Sequence, residues 1–334
     1  MSVSSALLSP PILFFCLGLG SGLVRSNLDV PQQVAKFLAL YLLFALGFKG
    51  GVALNHTGIT TEVAAALGAA LILAVVTPIY VYAGLQRVVD SFNAAAIAAT
   101  YGSVSAVTFI TATVVLTNRG IPFGDYMSAA LVCMESPAIL VGILLASAAR
   151  RSQAQAGAPA DEGVPSATGP SLGTALREAM IEGPQLLLLG SLVVGLITGS
   201  AGKAALEPFS GSLFIGLLCF FLLDMGLLVA RGLRDMGRFP LVLVLVALVL
   251  PPVNAMLGAG LAALFGLGYG DAILIAVLAA SGSYIAVPAT VRLAIPEADA
   301  HLYFTMSLAI TFPFNVVVGI PLYADLIRLA WPLS

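Results

Sequence analysis

Charge is what this sequence lacks most. Its 334 residues include 14 Lys and Arg and 16 Asp and Glu, only 9% of the chain, with a net charge of −2. A soluble domain carries about 25% charged residues. So few charges cannot clothe a soluble fold of this length, which excludes a soluble enzyme, a nucleic-acid binder and a disordered chain. Cysteine is scarce too. Cys16, Cys133 and Cys219 are odd in number, lie within apolar runs and have no metal-ligand spacing. They read as small apolar packing residues, not as a disulfide framework or a zinc site. His56 and His301 stand alone near the ends of apolar runs and read as interfacial. The single tryptophan, Trp331, follows the last apolar run, as an interface anchor would. Catalytic signatures are absent as well: there is no Gly-Lys-Ser phosphate loop, no HExxH and no GxSxG. The polar stretches are too short for a nucleotide-binding domain. The sequence therefore predicts no enzyme, no cofactor, no resident metal and no transport driven directly by ATP.

What is abundant is apolar. Hydrophobic residues make up 60% of the chain and the mean hydropathy is +1.05. A bilayer core needs about 20 apolar residues per helix. Runs of that kind lie near 5–24, 33–55, 62–84, 91–117, 124–148, 173–199, 211–230, 239–266, 270–292 and 300–329, predicting ten transmembrane helices. No basic segment precedes the first run, so it reads as a span and not as a cleaved signal peptide. The longest polar stretch, from Arg150, is rich in Gly, Pro, Ser, Ala and Gln, a linker composition. It divides the chain into 1–149, a linker 150–172, and 173–334, each flanking part with five spans. With both termini outside, Arg25, Lys36, Arg87, Arg150, Arg151, Arg177, Arg231, Arg234, Arg238 and Arg292 fall on the cytoplasmic side. Arg119, Lys203 and Arg328 then fall outside, which is the orientation the positive-inside rule favours.

The two halves repeat each other. Gly102-Ser103-x-x-Ala106-Val107 matches Gly282-Ser283-x-x-Ala286-Val287, Met127-Ser128-Ala129-Ala130-Leu131 matches Met306-Ser307-Leu308-Ala309-Ile310, and Val141-Gly142-Ile143 matches Val318-Gly319-Ile320, in order and at nearly constant offset. An odd number of spans per repeat turns the second upside down, an inverted repeat of the kind that builds secondary transporters. The matched Gly-Ser segments fall in the fourth and ninth spans, the two less uniformly apolar ones, and Pro288 disfavours a straight helix in the ninth. Interrupted helices are tolerated in lipid where they line a cavity. Half-helix N-termini suit a small anion, while carbonyl ends and hydroxyls suit a small cation such as sodium. Close helix packing is the alternative use of such Gly and Ser residues. The predicted substrate site is Gly102, Ser103, Ser105, Thr108, Ser281, Gly282, Ser283 and Thr290.

Charges inside spans are functional candidates: Lys49, Glu135 and Asp224. Lys49 is a candidate partner for Asp224 or for Glu135. Arg292, at the cytoplasmic end of the ninth span, reads as a positive-inside anchor or as a residue that steers an anion. Gly18-xxx-Gly22, Gly47-xxx-Gly51 and Gly195-xxx-Gly199 allow close helix approach.

Five stretches resemble the sodium-dependent bicarbonate transporters of cyanobacteria and their bacterial relatives. They are Leu46-Gly47-Phe48-Lys49-Gly50-Gly51, the first Gly-Ser crossover, Glu135-Ser136-Pro137-Ala138, the second crossover through Pro296, and Gly319-Ile320-Pro321-Leu322. The resemblance implies an all-α fold of ten helices in two inverted five-helix repeats, whose broken fourth and ninth helices cross in a core that moves against a scaffold. It also implies a homotrimer in the bacterial inner membrane, bicarbonate symport with sodium, and a PII-like regulatory partner at the cytoplasmic face. The chain departs from the family pattern at Tyr284, where an acid is usual, at Ala286, where a hydroxyl is usual, at Ala106-Val107 and at Glu135. The candidates for ion coupling are Ser103, Ser105, Glu135, Ser283 and Tyr284. Sodium at the crossover is the expected ion, and a proton carried by Glu135 is the alternative. A carrier of an organic anion with the same architecture, and a non-transporting membrane receptor, are the rival readings.

Overall fold

The computed structural model describes residues 9–155, 177, 181, 183–235 and 239–331. Among these residues every regular element is helical. In chain order they are α1 (Pro10–Leu23), α2 (Gln32–Thr57), α3 (Thr61–Leu85), α4 (Ser91–Gly102), α5 (Ala106–Asn118) and α6 (Met127–Gln155). After 156–176, α7 (Gly183–Leu206) leads through a π-helical turn, Glu207–Ser212, into α8 (Phe214–Asp235). Then come α9 (Leu241–Leu264), α10 (Tyr269–Ala280), α11 (Ala286–Ala294) and α12 (Ala300–Ala330), the last with π-helical turns at Thr305–Thr311 and Asn315–Gly319. Eight helical segments are long and apolar enough to cross a membrane, counting α4 with α5 as one. α1 and α10 are shorter apolar helices.

Local chemistry sets several helix starts. The Thr60 hydroxyl accepts the Val63 N–H, the Asp90 carboxylate accepts the Phe92 and Asn93 N–H groups, and the Asp299 carboxylate accepts that of His301, each satisfying donors that the first turn leaves orphaned. Helix ends depart from the hydropathy boundaries where amphipathic turns carry a helix past its apolar run. α6 continues to Gln155, into the stretch beginning at Arg150, and α7 runs past Gly199 to Leu206. Residues 156–172 of the expected linker lie outside the described residues.

The helices sort into two bundles. α1 packs along α8 and α2 along α7. All three small-residue motifs sit in these seams. A Cβ at Gly18 would come within 2.0 Å of the Leu223 carbonyl, one at Gly47 within 2.3 Å of the Leu188 carbonyl, and one at Gly195 within 2.2 Å of the Phe48 carbonyl. The backbones are thus close enough that no side chain fits between them. Gly199 adopts φ +52, a left-handed value that a glycine tolerates, and Asn55 occupies the space beside it. The second bundle contains α3 to α6 and α9 to α12, with α3, α4 and α6 packed together and α10 against α9.

Ion pairs divide the molecule into two faces. Arg150 and Arg231, from the basic-rich side, pair with Glu297 and Asp29, whereas Arg119 pairs with Asp325 on the other. The Glu297 carboxyl sits in the loop between α11 and α12. Burial pushes its pKa up, but hydrogen bonds from Arg150 and the Arg150 charge outweigh this and hold it below the usual range.

Candidate functional site

Two helices break inside the second bundle. α4 ends at Gly102 and α5 begins at Ala106; α10 ends at Ala280 and α11 begins at Ala286. The segments that flank the breaks have 12, 13, 12 and 9 residues and span about 14–20 Å, so in a bilayer core of about 30 Å the breaks fall inside the apolar layer. The two breaks bind one another. The Ser283 N–H donates to the Thr100 carbonyl at 2.9 Å, and the Ser105 N–H donates to Ser281 Oγ at 2.9 Å. Hydroxyls close the new helix ends: Ser105 Oγ accepts the Thr108 N–H, and Ser283 Oγ accepts that of Val287. The N–H groups of Ala106 and Val107 precede the intrahelical ladder of α5, leaving a donor-rich, dipole-positive end at the crossing. Pro288 is not the breaker. It sits in the first turn of α11, where its missing N–H has no helical partner to lose, and the break lies upstream at 281–285.

A cavity of about 10 Å³ lies at the crossing, lined by Leu43, Val104, Ser105, Ala106, Glu135, Ser283, Tyr284 and Ile285. That is room for about one water-sized particle. Ser105, Glu135, Ser283 and Tyr284 are thus gathered from the first break, α6 and the second break, each no more than 6% exposed. The Tyr284 ring packs edge-on to Phe312 at 5.2 Å, and its hydroxyl is directed at Ser105 without closing a hydrogen bond of good geometry.

The other expected site residues serve the frame around this cavity. Thr108 Oγ1 donates to Ser105 Oγ at 2.9 Å, and Ser281 Oγ donates to the Leu278 carbonyl at 2.8 Å. Gly102 is a packing residue: a Cβ there would come within 2.6 Å of Pro78 in α3 and 3.2 Å of Ala138 in α6. Gly282 lies beside Thr100 and Ser307. Ser103 is fully buried, its hydroxyl without a hydrogen-bond partner. Neither Ser103 nor Thr290, buried on α11, lines the cavity.

Sequence reasoning missed a set of polar ties around the crossing. Asn315 donates to the Ala280 carbonyl at 2.8 Å and accepts from the Tyr323 hydroxyl at 2.9 Å, fixing the last turn of α10. Tyr101 and Thr311 share a hydrogen bond of 2.6 Å, and Thr311 donates to the Ala247 carbonyl. Asp271, at the far end of α10, accepts from the Gly124 N–H at 2.7 Å and the Tyr126 hydroxyl at 2.5 Å. Burial first, and then the Asp271 carboxylate, push the Tyr126 phenol up. The signal for Asn315 was a lone amide inside an apolar run, a group that needs partners when buried. Nothing in the sequence named those partners.

A second cavity, of about 1000 Å³, lies between the bundles on the face that carries Lys203. It is lined by the second half of α2, the second half of α5, the loop before α6 and the turn before α8. Lys49 projects here, its ammonium 4.0 Å from the centre of the Phe214 ring. This corrects the pairing of Lys49 with Asp224 or Glu135: α2 turns Lys49 towards the vestibule, Glu135 lines the crossing cavity, and Asp224 is buried on α8. His56 shares a hydrogen bond with Ser200 at 3.1 Å on the vestibule wall. Arg292 is exposed at the end of α11, away from both cavities, as an anchor would be. Trp331 donates to the Leu267 carbonyl at 3.2 Å beyond α12.

The sequence profile of the Na+-dependent bicarbonate transporter superfamily matches residues 10–328, which is nearly the whole chain. The chain belongs to that superfamily. It is accordingly a membrane protein of a transporter superfamily and not an enzyme. The resemblance read from five short stretches thus extends across both broken helices and both bundles. No curated protein sequence matches the chain significantly.

Proposed function

We propose that this chain is a secondary active transporter for a small anion, with bicarbonate as the leading substrate, coupled to sodium or to protons. The observation that carries the reading is the crossing itself: two broken helices hydrogen-bonded to each other deep in the apolar layer, around a cavity that gathers Ser105, Glu135, Ser283 and Tyr284. Irregular backbone at that depth has a use where it lines a route. The helix ends supply the donors that an oxyanion needs, and the oxygens of Ser105, Ser283, Glu135 and Tyr284 suit a coupling cation. Superfamily membership supports the same chemistry.

In this reading the ten helices form two inverted repeats. The pairing of α1 with α8 and α2 with α7 supports it, because an operator that carries α1 onto α7 and α2 onto α8 turns the first of these contacts into the second. The bundle carrying both breaks moves against the bundle of α1, α2, α7 and α8, giving alternating access. The wide vestibule on the Lys203 face corresponds to an outward-open form, with the basic-rich face cytoplasmic and both termini outside. Assembly as a homotrimer in the inner membrane of a bacterium and a PII-like partner at the cytoplasmic face follow from the family resemblance.

The size of the crossing cavity bears on the rivals. Room for about one water argues against a bulky organic anion. It also gives the non-transporting reading its one specific support, since bicarbonate would require the Tyr284 ring to swing aside. Uptake of labelled bicarbonate into proteoliposomes, with sodium and pH gradients imposed singly and together, decides among these. Uptake driven by either gradient is the expected result and names the coupling ion. No uptake under any gradient refutes the transport reading.

A further inference from the structure

Lys49 is not absorbed by the crossing site. It is an ammonium on a membrane-spanning helix, yet it is exposed, because the vestibule brings water to it. Such a charge is ordinarily paired or drawn to the interface. Here no carboxylate of the described residues lies within 4 Å of it. Its close partner is the face of the Phe214 ring, which holds the ammonium in place while leaving its N–H groups unspent. The acids that share the vestibule with it are Asp125 and Glu207, and the Glu207 carboxylate accepts from the Ser212 hydroxyl. Lys203 and His56 add positive and titratable groups to the same wall.

The placement of Lys49 is directional. Leu43 lines the crossing cavity and Leu46 lines the vestibule. Lys49 stands one further turn along the same helix, so it lies about 9 Å from the level of the crossing, measured along the axis. Lys49 thus stands on the wall of the vestibule from which an anion would approach the crossing. We infer that Lys49 and the ring of Phe214 form a staging site for a monovalent oxyanion, distinct from the crossing site and held on the bundle that does not carry the broken helices. The site raises the local concentration of anion at the mouth of the route. Its place on a route rests on the transport reading; its ability to bind an anion does not.

Amine-reactive labelling of the purified full chain in liposomes tests the binding, with mass spectrometry reading each lysine at constant pH and ionic strength. The chain has three lysines, and exposed Lys36 at the start of α2, outside the vestibule, is the internal reference. Bicarbonate at about four times its half-protecting concentration should slow Lys49 labelling about fivefold, by simple occupancy, and leave Lys36 unchanged. Nitrate and acetate, as further small oxyanions, are the comparison probes. Labelling of Lys49 that no anion slows, or that slows only in step with Lys36, overturns the inference. In the uptake assay, Lys49→Gln should raise KM about tenfold with Vmax within about twofold, and Lys49→Arg should restore KM. A Lys49→Gln variant with unchanged KM also overturns the staging role. Protection of Lys49 in a chain that moves no bicarbonate would leave the anion site standing and remove the transport reading instead.

Discussion

Ser281→Ala should loosen the crossing without touching its apolar packing. Ser281 Oγ accepts the Ser105 N–H at 2.9 Å and donates to the Leu278 carbonyl at 2.8 Å, and the residue is 1% exposed. Alanine leaves the Ser105 N–H with no acceptor in a site without bulk water. An orphaned buried donor costs about 1–3 kcal/mol, and the lost bond to Leu278 about 1 kcal/mol more, so the predicted loss is roughly 2–4 kcal/mol. At the 2–4 °C per kcal/mol typical of chains of 150–250 residues, the melting temperature should fall by roughly 4–16 °C. Thr108→Val is the matched comparison. It removes the Thr108 hydroxyl donated to Ser105 Oγ, but Ser105 still accepts the Thr108 N–H at 3.1 Å. No backbone donor is stranded, and the loss should stay near 1 kcal/mol. Thermal unfolding in detergent, followed by helical circular dichroism, measures both variants. A Ser281→Ala variant as stable as the unaltered chain, or a Thr108→Val variant that costs more than Ser281→Ala, would show that the two breaks do not depend on each other.

Three further outcomes follow from the packing. Gly51→Ala places a methyl 1.9 Å from the Leu192 carbonyl, so α2 must separate from α7. The variant should lose more than about 2 kcal/mol by overpacking, visible as a lower melting temperature, whereas Gly20→Ala, with nothing within 4 Å of the new methyl, should be neutral. Glu297→Gln should cost about 1–2 kcal/mol at neutral pH, because the Arg150 guanidinium meets both carboxylate oxygens, at 2.6 and 2.7 Å. The Glu297 pKa is depressed in the fold, so its contribution is complete above the unfolded value of about 4.3 and is lost as pH falls through the folded value. The gap between variant and unaltered chain should therefore close on acidification below pH 4, and a gap that persists there contradicts the assignment. Tyr284→Ala removes the ring that separates Ser105 from Phe312 and should admit acetate or larger anions to transport; unchanged selectivity would show that the ring does not limit size.

Much of this was legible in the sequence, for physical reasons that differ from feature to feature. Hydropathy alone places the long helices, since a membrane span must be apolar over its length. Gly47, Gly51 and Gly195 were readable as close-packing residues because a missing side chain is a local property, and the structure puts them in the α2–α7 seam. The breaks were readable from Gly102-Ser103 and Gly282-Ser283, but their partners were not. Ser105 binds Ser281 and Thr100 binds Ser283 across more than 170 residues, and nothing in either segment encodes the register of the other. Ser103 and Thr290 looked like site residues because they are hydroxyls in the two matched segments, yet neither is among the residues that line the cavity. Ignorance of helix rotation suggested a partner for Lys49 in Asp224, whereas α2 directs it to the vestibule and onto Phe214.

Uptake of labelled bicarbonate by Ser283→Ala, compared with the unaltered chain in proteoliposomes, tests the central claim most directly. Ser283 lines the cavity and caps α11 through a long bond of 3.3 Å, so its loss should cost about 1 kcal/mol of stability and leave a folded protein. The account predicts gradient-driven uptake by the unaltered chain and a fall of about tenfold or more in Vmax/KM for the variant. Uptake by Ser283→Ala equal to that of the unaltered chain would contradict it, because the anion would then be moving without the crossing.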